Sequence, residues 1–266
     1  LEVIGFKNGY EGLIGNDFIK FDRRSVGNII QRGGSILHTS RSARFLKKKY
    51  RIIAANNLKD HRIDGLAVIG GEGSLNGASE LSKVSDVSTV VIPATIDRDM
   101  PLVGPTIGFD TAINTALSAI DKIRDTATTA NVTHIVEVMG RNCGWLSILA
   151  GIGAGAEVAI IPEIKIRSAK LAKRLKQQLE KGKKGCILIL AEGGFKNGGD
   201  ALAKSLSRAN ELDLRVTTLG HIQRGGNPSA ADRLLASELG ISAVFSLLKG
   251  KKNIVLAKPT TRIEVF

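Results

Sequence analysis

Polar and glycine residues follow five apolar stretches of the sequence, and their types suit phosphate chemistry. The five loops are GGEGS, TIDRD, GRNCG, EGG and HIQRGG, at residues 70–74, 95–99, 140–144, 192–194 and 221–226. Glycines let a backbone approach a ligand closely, and the free N–H groups at the start of a helix bind phosphate. A carboxylate in such a loop can take the proton of a hydroxyl group that attacks a phosphoryl group. Together the loops indicate phosphoryl transfer.

The first two loops supply the candidate residues for this chemistry. Ser74 can cap the following helix or bind a phosphate oxygen, and Glu72 suits a bound Mg²⁺ ion. In the second loop Asp97 is a candidate general base and Thr95 a candidate phosphate ligand, while Asp99 can assist the metal or position the base. A capped tight turn and an Asx-rich turn after a strand are the alternative interpretations of these two loops.

The elements that must position these loops are short apolar strands that alternate with helical patterns. Strands are predicted at residues 66–70, 88–93, 134–140, 158–162, 186–192 and 215–220. Several are apolar on both faces, which is typical of a parallel sheet covered by helices on both sides. Ligands bind beyond the carboxyl ends of the strands in such a sheet, which is where the five loops lie. The sequence therefore predicts an α/β fold.

Composition limits the class of protein. The 266 residues carry a net charge of +13, and the hydrophobic fraction is 43%. The charge favours an anionic partner, either nucleic acid or a small phosphorylated ligand, although solvated helix faces also explain many basic residues. Only 4% of residues are aromatic and no basic recognition helix is evident, so we expect no nucleic-acid partner. We expect no membrane segment or signal peptide, and a cytoplasmic protein in which Cys143 and Cys186 are reduced thiols.

The motifs, taken in order, resemble the phosphofructokinase family, in particular its bacterial ATP-dependent members, which phosphorylate fructose 6-phosphate at its 1-hydroxyl group. Besides GGEGS and TIDRD, the resemblance rests on NGYEGL, RGGSILHTSR, TIGFDTA, VEVMGRNCG, AEGG and LGHIQRGG, at residues 8–13, 32–41, 106–112, 136–144, 191–194 and 219–226. It implies an α/β fold of two doubly wound Rossmann-like lobes with a cleft between them. It also implies an ATP-binding lobe of residues 1–108 and 223–266, and a sugar-phosphate-binding lobe of residues 109–222.

The resemblance implies roles for individual residues. Asp97 matches the general base, Thr95 belongs to the same catalytic set, and Arg141 matches the arginine that neutralises charge on the transferring phosphoryl group. The further sugar-phosphate ligands are Met139, Gly140, Glu192, His221 and Arg224. Arg215 matches an arginine donated across a subunit interface, which implies a homo-oligomer, with a tetramer expected.

The ATP-binding and effector positions follow in the same way. The resemblance assigns ATP binding to Tyr10, Arg41, Ser42, Gly71, Glu72, Gly73 and Ser74. Diphosphate-dependent relatives carry an aspartate at the position of Gly73 and a lysine at that of Pro93 or Ala94, so the small Gly73 and Ala94 favour ATP. Mg²⁺ is expected at Glu72 and Asp99. An effector site for ADP or phosphoenolpyruvate is expected at Arg23, Arg124, Glu157, Lys181 and Lys183.

The chain also departs from the family pattern. The family's first strand and GGDAPG-like phosphate loop are expected ahead of LEVIGF, and a final helix after TTRIEVF. Glu72 replaces an aspartate, Arg98 replaces the asparagine of TIDND, and Val132 replaces a second cross-subunit arginine. We expect the Arg98 cation to lower the proton affinity of Asp97. Three functions stay open: an ATP-dependent 6-phosphofructokinase, a non-catalytic or regulatory subunit of that family, and a diphosphate-dependent enzyme.

Overall fold

The computed structural model describes residues 1–210, 212–258 and 264–265. Its strands are β1 (Val3–Phe6), β2 (Phe18–Phe21), β3 (Gly65–Gly70), β4 (Ser88–Pro93), β5 (Thr133–Val138), β6 (Val158–Ile160), β7 (Cys186–Ala191), β8 (Leu214–Thr218), β9 (Ile254–Ala257) and β10 (Glu264–Val265). Its helices are α1 (Tyr10–Gly15), α2 (Lys48–Asp60), α3 (Glu72–Ser82), α4 (Phe109–Ala130), α5 (Trp145–Gly153), α6 (Ser168–Glu180), α7 (Gly198–Asn210) and α8 (Ala230–Leu248), with a 3-10 turn at Gly220–Arg224.

The chain forms two compact units. The first consists of Leu1–Thr95, Met100–Ile107 and Ala230–Phe266, and the second of Ile96–Asp99 and Gly108–Ser229. These units differ from the predicted lobes mainly at residues 96–99 and 223–229. Within the predicted lobes, residues 211, 259–263 and 266 lie outside the described residues.

The first unit contains an antiparallel hairpin of β1 and β2 and a sheet of strand order β10-β9-β4-β3. In that sheet β3, β4 and β9 run parallel, and β10 pairs antiparallel with β9. Helix α8 packs Leu235 and Leu239 against Val90 of β4. A second cluster joins α1, α2 and α3, and includes the fully buried Leu58. This unit therefore carries the loop GGEGS at the carboxyl end of β3.

The second unit is a parallel sheet of strand order β6-β7-β5-β8 with helices on both faces. Strand β7 shows why helices cover both faces of this sheet, since every residue of CILILA is buried. Ile187 and Ile189 pack with residues of α4 and α5, whereas Leu188 and Leu190 pack with residues of α6 and α7. Successive side chains of a strand point to opposite faces, so an unbroken apolar run requires cover on both.

The predicted α/β class is confirmed, as are all six predicted strands, whose ends lie within two residues of the prediction. Strand β7, for example, ends one residue before the predicted end, where the polar Glu192 begins the turn. The β1–β2 hairpin and the strands β9 and β10 were not predicted. Within the residues that the structure describes, no helix combines the length and the apolar character needed to cross a membrane.

Candidate active site

Asp97 lies in the short loop that follows Thr95 and belongs to the second unit. Ile96 packs against the core of that unit, and Asp97 is only 5% exposed. The Nε atom of Arg141 lies 3.3 Å from Oδ2 of Asp97. Burial raises the pKa of Asp97, the Arg141 cation opposes this, and the neighbouring Asp99 adds to the increase. A carboxylate with a raised pKa is a stronger base, which suits proton removal from a hydroxyl group.

Arg141 owes its position to an unusual turn after β5. Gly140 has a φ of 128° and Arg141 a φ of 49°, both in the region that favours glycine. A Cβ atom on Gly140 would lie 2.7 Å from the backbone oxygen of Cys143, so this site requires glycine. The backbone N–H of Arg141 donates to Oε2 of Glu192 at 3.1 Å. Strained backbone of this kind is concentrated at functional sites.

The 3-10 turn brings Arg224 to the same loop. Its Nε atom donates to Sδ of Met139 at 3.3 Å, and the backbone N–H of Met139 donates to Oε1 of Gln223 at 2.9 Å. Arg224 and Glu192 both contribute to the electrostatics at Asp97, with opposite signs. His221 lies in the same turn with its side chain exposed. The second unit thus gathers the predicted base, the predicted phosphoryl-binding arginine and predicted sugar-phosphate ligands at the carboxyl ends of its strands.

Arg215 is placed differently. It lies near the amino end of β8, opposite His134 of β5, and its exposed side chain is 3.7 Å from Asp213. The carboxyl end of β8, at Thr218, is three residues farther on, or about 10 Å at the usual strand rise. Arg215 therefore lies toward the opposite end of the sheet from the loops that hold Asp97 and Arg141.

Five of the seven predicted ATP-binding residues lie in the first unit around the start of α3, namely Tyr10, Gly71, Glu72, Gly73 and Ser74. The Tyr10 hydroxyl group donates to the backbone oxygen of Ser74 at 2.6 Å, and the ring stacks on Phe45 with centroids 4.0 Å apart. Burial raises the pKa of Tyr10, so the hydroxyl group stays protonated as a donor. A Cβ atom on Gly71 would lie 3.2 Å from Cβ of Thr95, whereas one on Gly73 would have nothing within 4 Å. Tyr10 therefore anchors the first turn of α3, and Gly73 borders open space.

Two further predicted ATP ligands lie in the segment before α2. The Ser42 hydroxyl group donates to Oε1 of Glu11 at 2.5 Å, and Arg44 forms an ion pair with the same carboxylate. Arg41, the residue before Ser42, is exposed. Beside Gly71, the backbone oxygen of Thr95 accepts a hydrogen bond from the Thr106 hydroxyl group.

The two predicted metal ligands belong to different units, Glu72 to the first and Asp99 to the second. Oδ1 of Asp99 is buried and has no hydrogen-bond partner within the described residues. The described part of the chain holds no group of three or more His, Cys, Asp or Glu side chains that could bind a metal ion. Mg²⁺ is commonly held by one or two carboxylates together with substrate phosphates, so a complete protein cage is not needed. Each of the two carboxylates is by itself a ligand of the type that Mg²⁺ accepts.

Three of the five predicted effector ligands share one neighbourhood in the second unit. Arg124 donates to the backbone oxygen atoms of residues 154 and 155, and Lys183 forms an ion pair with Glu157. Burial raises the pKa of the nearby Cys186 thiol, and the charges of these three residues all act on it as well. The other two predicted ligands are Lys181, which directly follows α6, and Arg23, which belongs to the first unit.

Comparison with known proteins decides the family. The family model described as Phosphofructokinase matches residues 1–247. The chain belongs to the phosphofructokinase family. It is 48% identical to the ATP-dependent 6-phosphofructokinase of Clostridium acetobutylicum, over 96% of this chain and 79% of that one. It is 45% identical to the ATP-dependent 6-phosphofructokinase of Thermotoga neapolitana, over 97% of this chain and 80% of that one.

Solved phosphofructokinase structures share the fold. The phosphofructokinase from Saccharomyces cerevisiae aligns with all of this chain at a TM-score of 0.91 and 31% identity, and the aligned part is 40% of that chain. A pyrophosphate-dependent phosphofructokinase from Marinobacter aquaeolei aligns with all of this chain and 73% of its own length, at a TM-score of 0.84 and 23% identity. At that lower identity the likeness concerns the fold alone.

In this phosphofructokinase family member, the position of the Arg98 side chain contradicts the expectation that its cation acts on Asp97. Its guanidinium carbon lies 4.7 Å from the ring centroid of Trp145 and 5.3 Å from that of Phe109. The charges that shift the pKa of Asp97 do not include Arg98, and burial raises that pKa overall. The prediction that Arg98 lowers the proton affinity of Asp97 is therefore wrong. Its left-handed backbone, with a φ of 51°, and its two aromatic partners direct the cation elsewhere.

Three side chains that hold residues of the predicted loops, one in the first unit and two in the second, were not predicted. Gln223 is 1% exposed and holds Met139, Glu163 accepts the backbone N–H of Gly144 at 2.8 Å, and Glu11 holds Ser42. Gln223 and Glu11 lie within the motifs HIQRGG and NGYEGL, which was the available signal. Val132, which was expected to replace a second cross-subunit arginine, is 8% exposed and packs in the core beside α4.

Proposed function

We propose that this chain is an ATP-dependent 6-phosphofructokinase, which transfers the γ-phosphoryl group of ATP to the 1-hydroxyl group of fructose 6-phosphate. The observation that carries the proposal is the buried Asp97 carboxylate with Arg141 at 3.3 Å. A base and a cation in contact meet the two needs of phosphoryl transfer, which are activation of the attacking hydroxyl group and stabilisation of charge on the phosphoryl oxygens. The activity named for its relatives at 45–48% identity is this one.

Asp97 and Arg141 divide the chemical step between them. As the 1-hydroxyl oxygen forms its bond to the γ-phosphorus, Asp97 takes the hydroxyl proton, and the bond from phosphorus to the ADP oxygen breaks. Arg141 balances charge on the transferring group, for which its planar guanidinium is suited because it can donate to two oxygens. Thr95 binds a phosphoryl oxygen in the same step.

The acceptor is held by the loops around Arg141. We assign fructose 6-phosphate binding to Met139, Gly140, Glu192, His221 and Arg224, together with Arg215 of a neighbouring subunit. The position of Arg215 supports this assignment, since it lies about 10 Å along β8 from the end of its own strand that faces the base. A site completed by a second subunit implies a homo-oligomer, and a tetramer fits the closed symmetry of most soluble homo-oligomers.

The donor is held by the first unit. We assign ATP binding to Tyr10, Arg41, Ser42, Gly71, Glu72, Gly73 and Ser74. The open space at Gly73 supports ATP over diphosphate, because it leaves room that an aspartate would fill. Glu72 and Asp99 would hold Mg²⁺, which neutralises phosphate charge when bound.

Two further parts of the proposal concern regulation and location. The basic neighbourhood of Arg124 and Lys183, with Glu157, Lys181 and Arg23, is assigned to ADP or phosphoenolpyruvate as an allosteric effector. Cations held in fixed positions suit a phosphorylated ligand. A cytoplasmic location fits this glycolytic activity, and Cys143 and Cys186 are free thiols, as is usual in a reducing compartment.

An aldolase-coupled assay of the full-length protein tests the proposed function. ATP and diphosphate are supplied in turn with Mg²⁺ and fructose 6-phosphate, and Asp97→Ser serves as the matched inactive variant. Turnover with ATP that is lost in Asp97→Ser supports the proposal. Turnover with diphosphate alone would assign the other donor, and turnover with neither would leave a non-catalytic family member.

A further inference from the structure

Arg98, Trp145 and Phe109 form a cation–π stack, called here the Arg98 stack. We propose that the Arg98 stack is a positioning device that holds the loop Ile96–Asp99 so that Asp97 faces Arg141. The inference rests on the proposed function, because it concerns the base of that reaction. The alternative is that Arg98 and Trp145 only contact each other at the surface and have no effect on Asp97.

The stack joins the loop to the first residues of two helices. Phe109 begins α4 and is 4% exposed, and Trp145 begins α5 and is 45% exposed. The guanidinium carbon of Arg98 lies within 6 Å of both ring centroids, the range in which a cation is attracted to an aromatic face. The backbone oxygen of Arg98 also accepts a weak hydrogen bond from the Cys143 thiol at 3.5 Å. Residue 98 is thus fixed by both its side chain and its backbone.

The stack acts on Asp97 because it is one of two anchors that flank the base. On one side Ile96 packs against the apolar core of the second unit, and on the other side Arg98 is held between aromatic rings. With both neighbours fixed, the Asp97 side chain has little freedom to leave Arg141. Geometry of this kind lowers the barrier because the base is in place before the hydroxyl group arrives.

Backbone preference does not explain an arginine at this position. Arg98 has a φ of 51°, a left-handed conformation that asparagine adopts more readily than arginine. The side chain must therefore contribute something that asparagine would not, and its aromatic contacts supply it. Arg98→Asn is for the same reason a sharp test, because it suits the backbone and removes only the stack.

The test compares Arg98→Asn, Arg98→Lys, Trp145→Leu and the double variant Arg98→Asn/Trp145→Leu, with Arg174→Asn on the exposed face of α6 as the control. Arg98→Asn is expected to lower kcat about 3- to 30-fold, the range that a cation–π contact spans, with KM for both substrates within about threefold. Lysine keeps the cation and is expected to restore part of the loss. The double variant is expected to be no slower than the slower single variant, because both substitutions remove the same contact.

Trp145 also reports on the stack directly, since it is the single tryptophan of the 266 residues. Loss of the guanidinium group is expected to change its fluorescence in Arg98→Asn, and Trp145→Phe gives the background of any other tryptophan in the full-length protein. Unchanged fluorescence would show that the stack does not form in solution. A changed fluorescence with unchanged kcat, or a lower melting temperature as the only effect, would overturn the positioning role.

The two proposals fail in different ways. A wild-type protein that phosphorylates fructose 6-phosphate with neither donor refutes the proposed function, and the positioning role falls with it. An active wild type with an unaffected Arg98→Asn variant refutes the positioning role alone. Loss of kcat in Arg98→Asn, partial recovery in Arg98→Lys and a non-additive double variant support it.

Discussion

Replacing Asp97 with asparagine is expected to remove most of the turnover without destabilising the protein. Asparagine has nearly the same shape, so it fits the site that leaves Asp97 only 5% exposed. It cannot accept a proton from the 1-hydroxyl group. General base catalysis contributes about 10²- to 10⁴-fold, which raises the barrier by about 2.7 to 5.5 kcal/mol when the base is lost.

The effect of the same substitution on stability follows from the raised pKa of Asp97. Burial disfavours the carboxylate in the folded protein. An acid whose pKa is raised by folding stabilises the fold fully only below its unfolded pKa, and that contribution is lost as the pH rises through the folded pKa. At neutral pH the charged Asp97 therefore weakens the fold. Arg141 loses its partner in the variant, but its side chain is 54% exposed, so water compensates for much of that loss.

Three measurements check this prediction, with the exposed Asp121→Asn on α4 as the matched control. The coupled assay should show the loss of kcat, while thermal unfolding at pH 7 should give a melting temperature equal to or above that of the wild type. The wild-type rate should fall at low pH as Asp97 becomes protonated, at a pH above that of an exposed aspartate. Turnover within tenfold of the wild type, or a clearly lower melting temperature, would refute the reasoning.

Three other substitutions test separate parts of the site. Gly73→Asp should raise KM for ATP at least about tenfold, because the new carboxylate repels the phosphates, and an unchanged KM would contradict the donor assignment. The melting temperature should not change, because a Cβ atom on Gly73 has nothing within 4 Å. Gly140→Ala should destabilise the protein by about 1 to 3 kcal/mol in denaturant unfolding, because its Cβ would lie 2.7 Å from the Cys143 oxygen; a neutral result would show that the turn relaxes. Mixed subunits of Arg215→Ala and Asp97→Ser should recover activity if the arginine serves a neighbour, and no recovery despite subunit exchange would assign it elsewhere.

Much of the fold could be predicted from the sequence because its signals are local. The run CILILA needs cover on both faces, and that alone indicates a strand inside a helical sandwich. The hairpin of β1 and β2 could not be predicted in this way. Its strands have only four residues each and are separated in the sequence by α1, so no long apolar run indicates that they pair.

The candidate site, too, could be predicted from the sequence only in part. Glycine-rich turns and the acids after strands could be identified because strand ends converge at one edge of a sheet. The supporting contact between Gln223 and Met139 joins residues 84 positions apart, so nothing in either segment indicates it. The interpretation of Arg98 was wrong for a related reason. Adjacency in sequence suggested a charge beside Asp97, whereas a left-handed backbone and distant aromatic residues decide where the cation lies.

The way the chain passes between its two units has an evolutionary consequence. Residues 108–229 contain every strand of the β6-β7-β5-β8 sheet and the four helices that cover it, yet the loop Ile96–Asp99 that belongs to the same unit precedes them in sequence. Recombination that exchanged the continuous segment between relatives would bring in a new set of the proposed sugar-phosphate ligands and keep the recipient's own proposed base, Asp97. Under the proposed function, the preference for the sugar-phosphate substrate could thus diversify by segment exchange, while the proposed base was inherited with the flanking sequence that we assign to ATP binding.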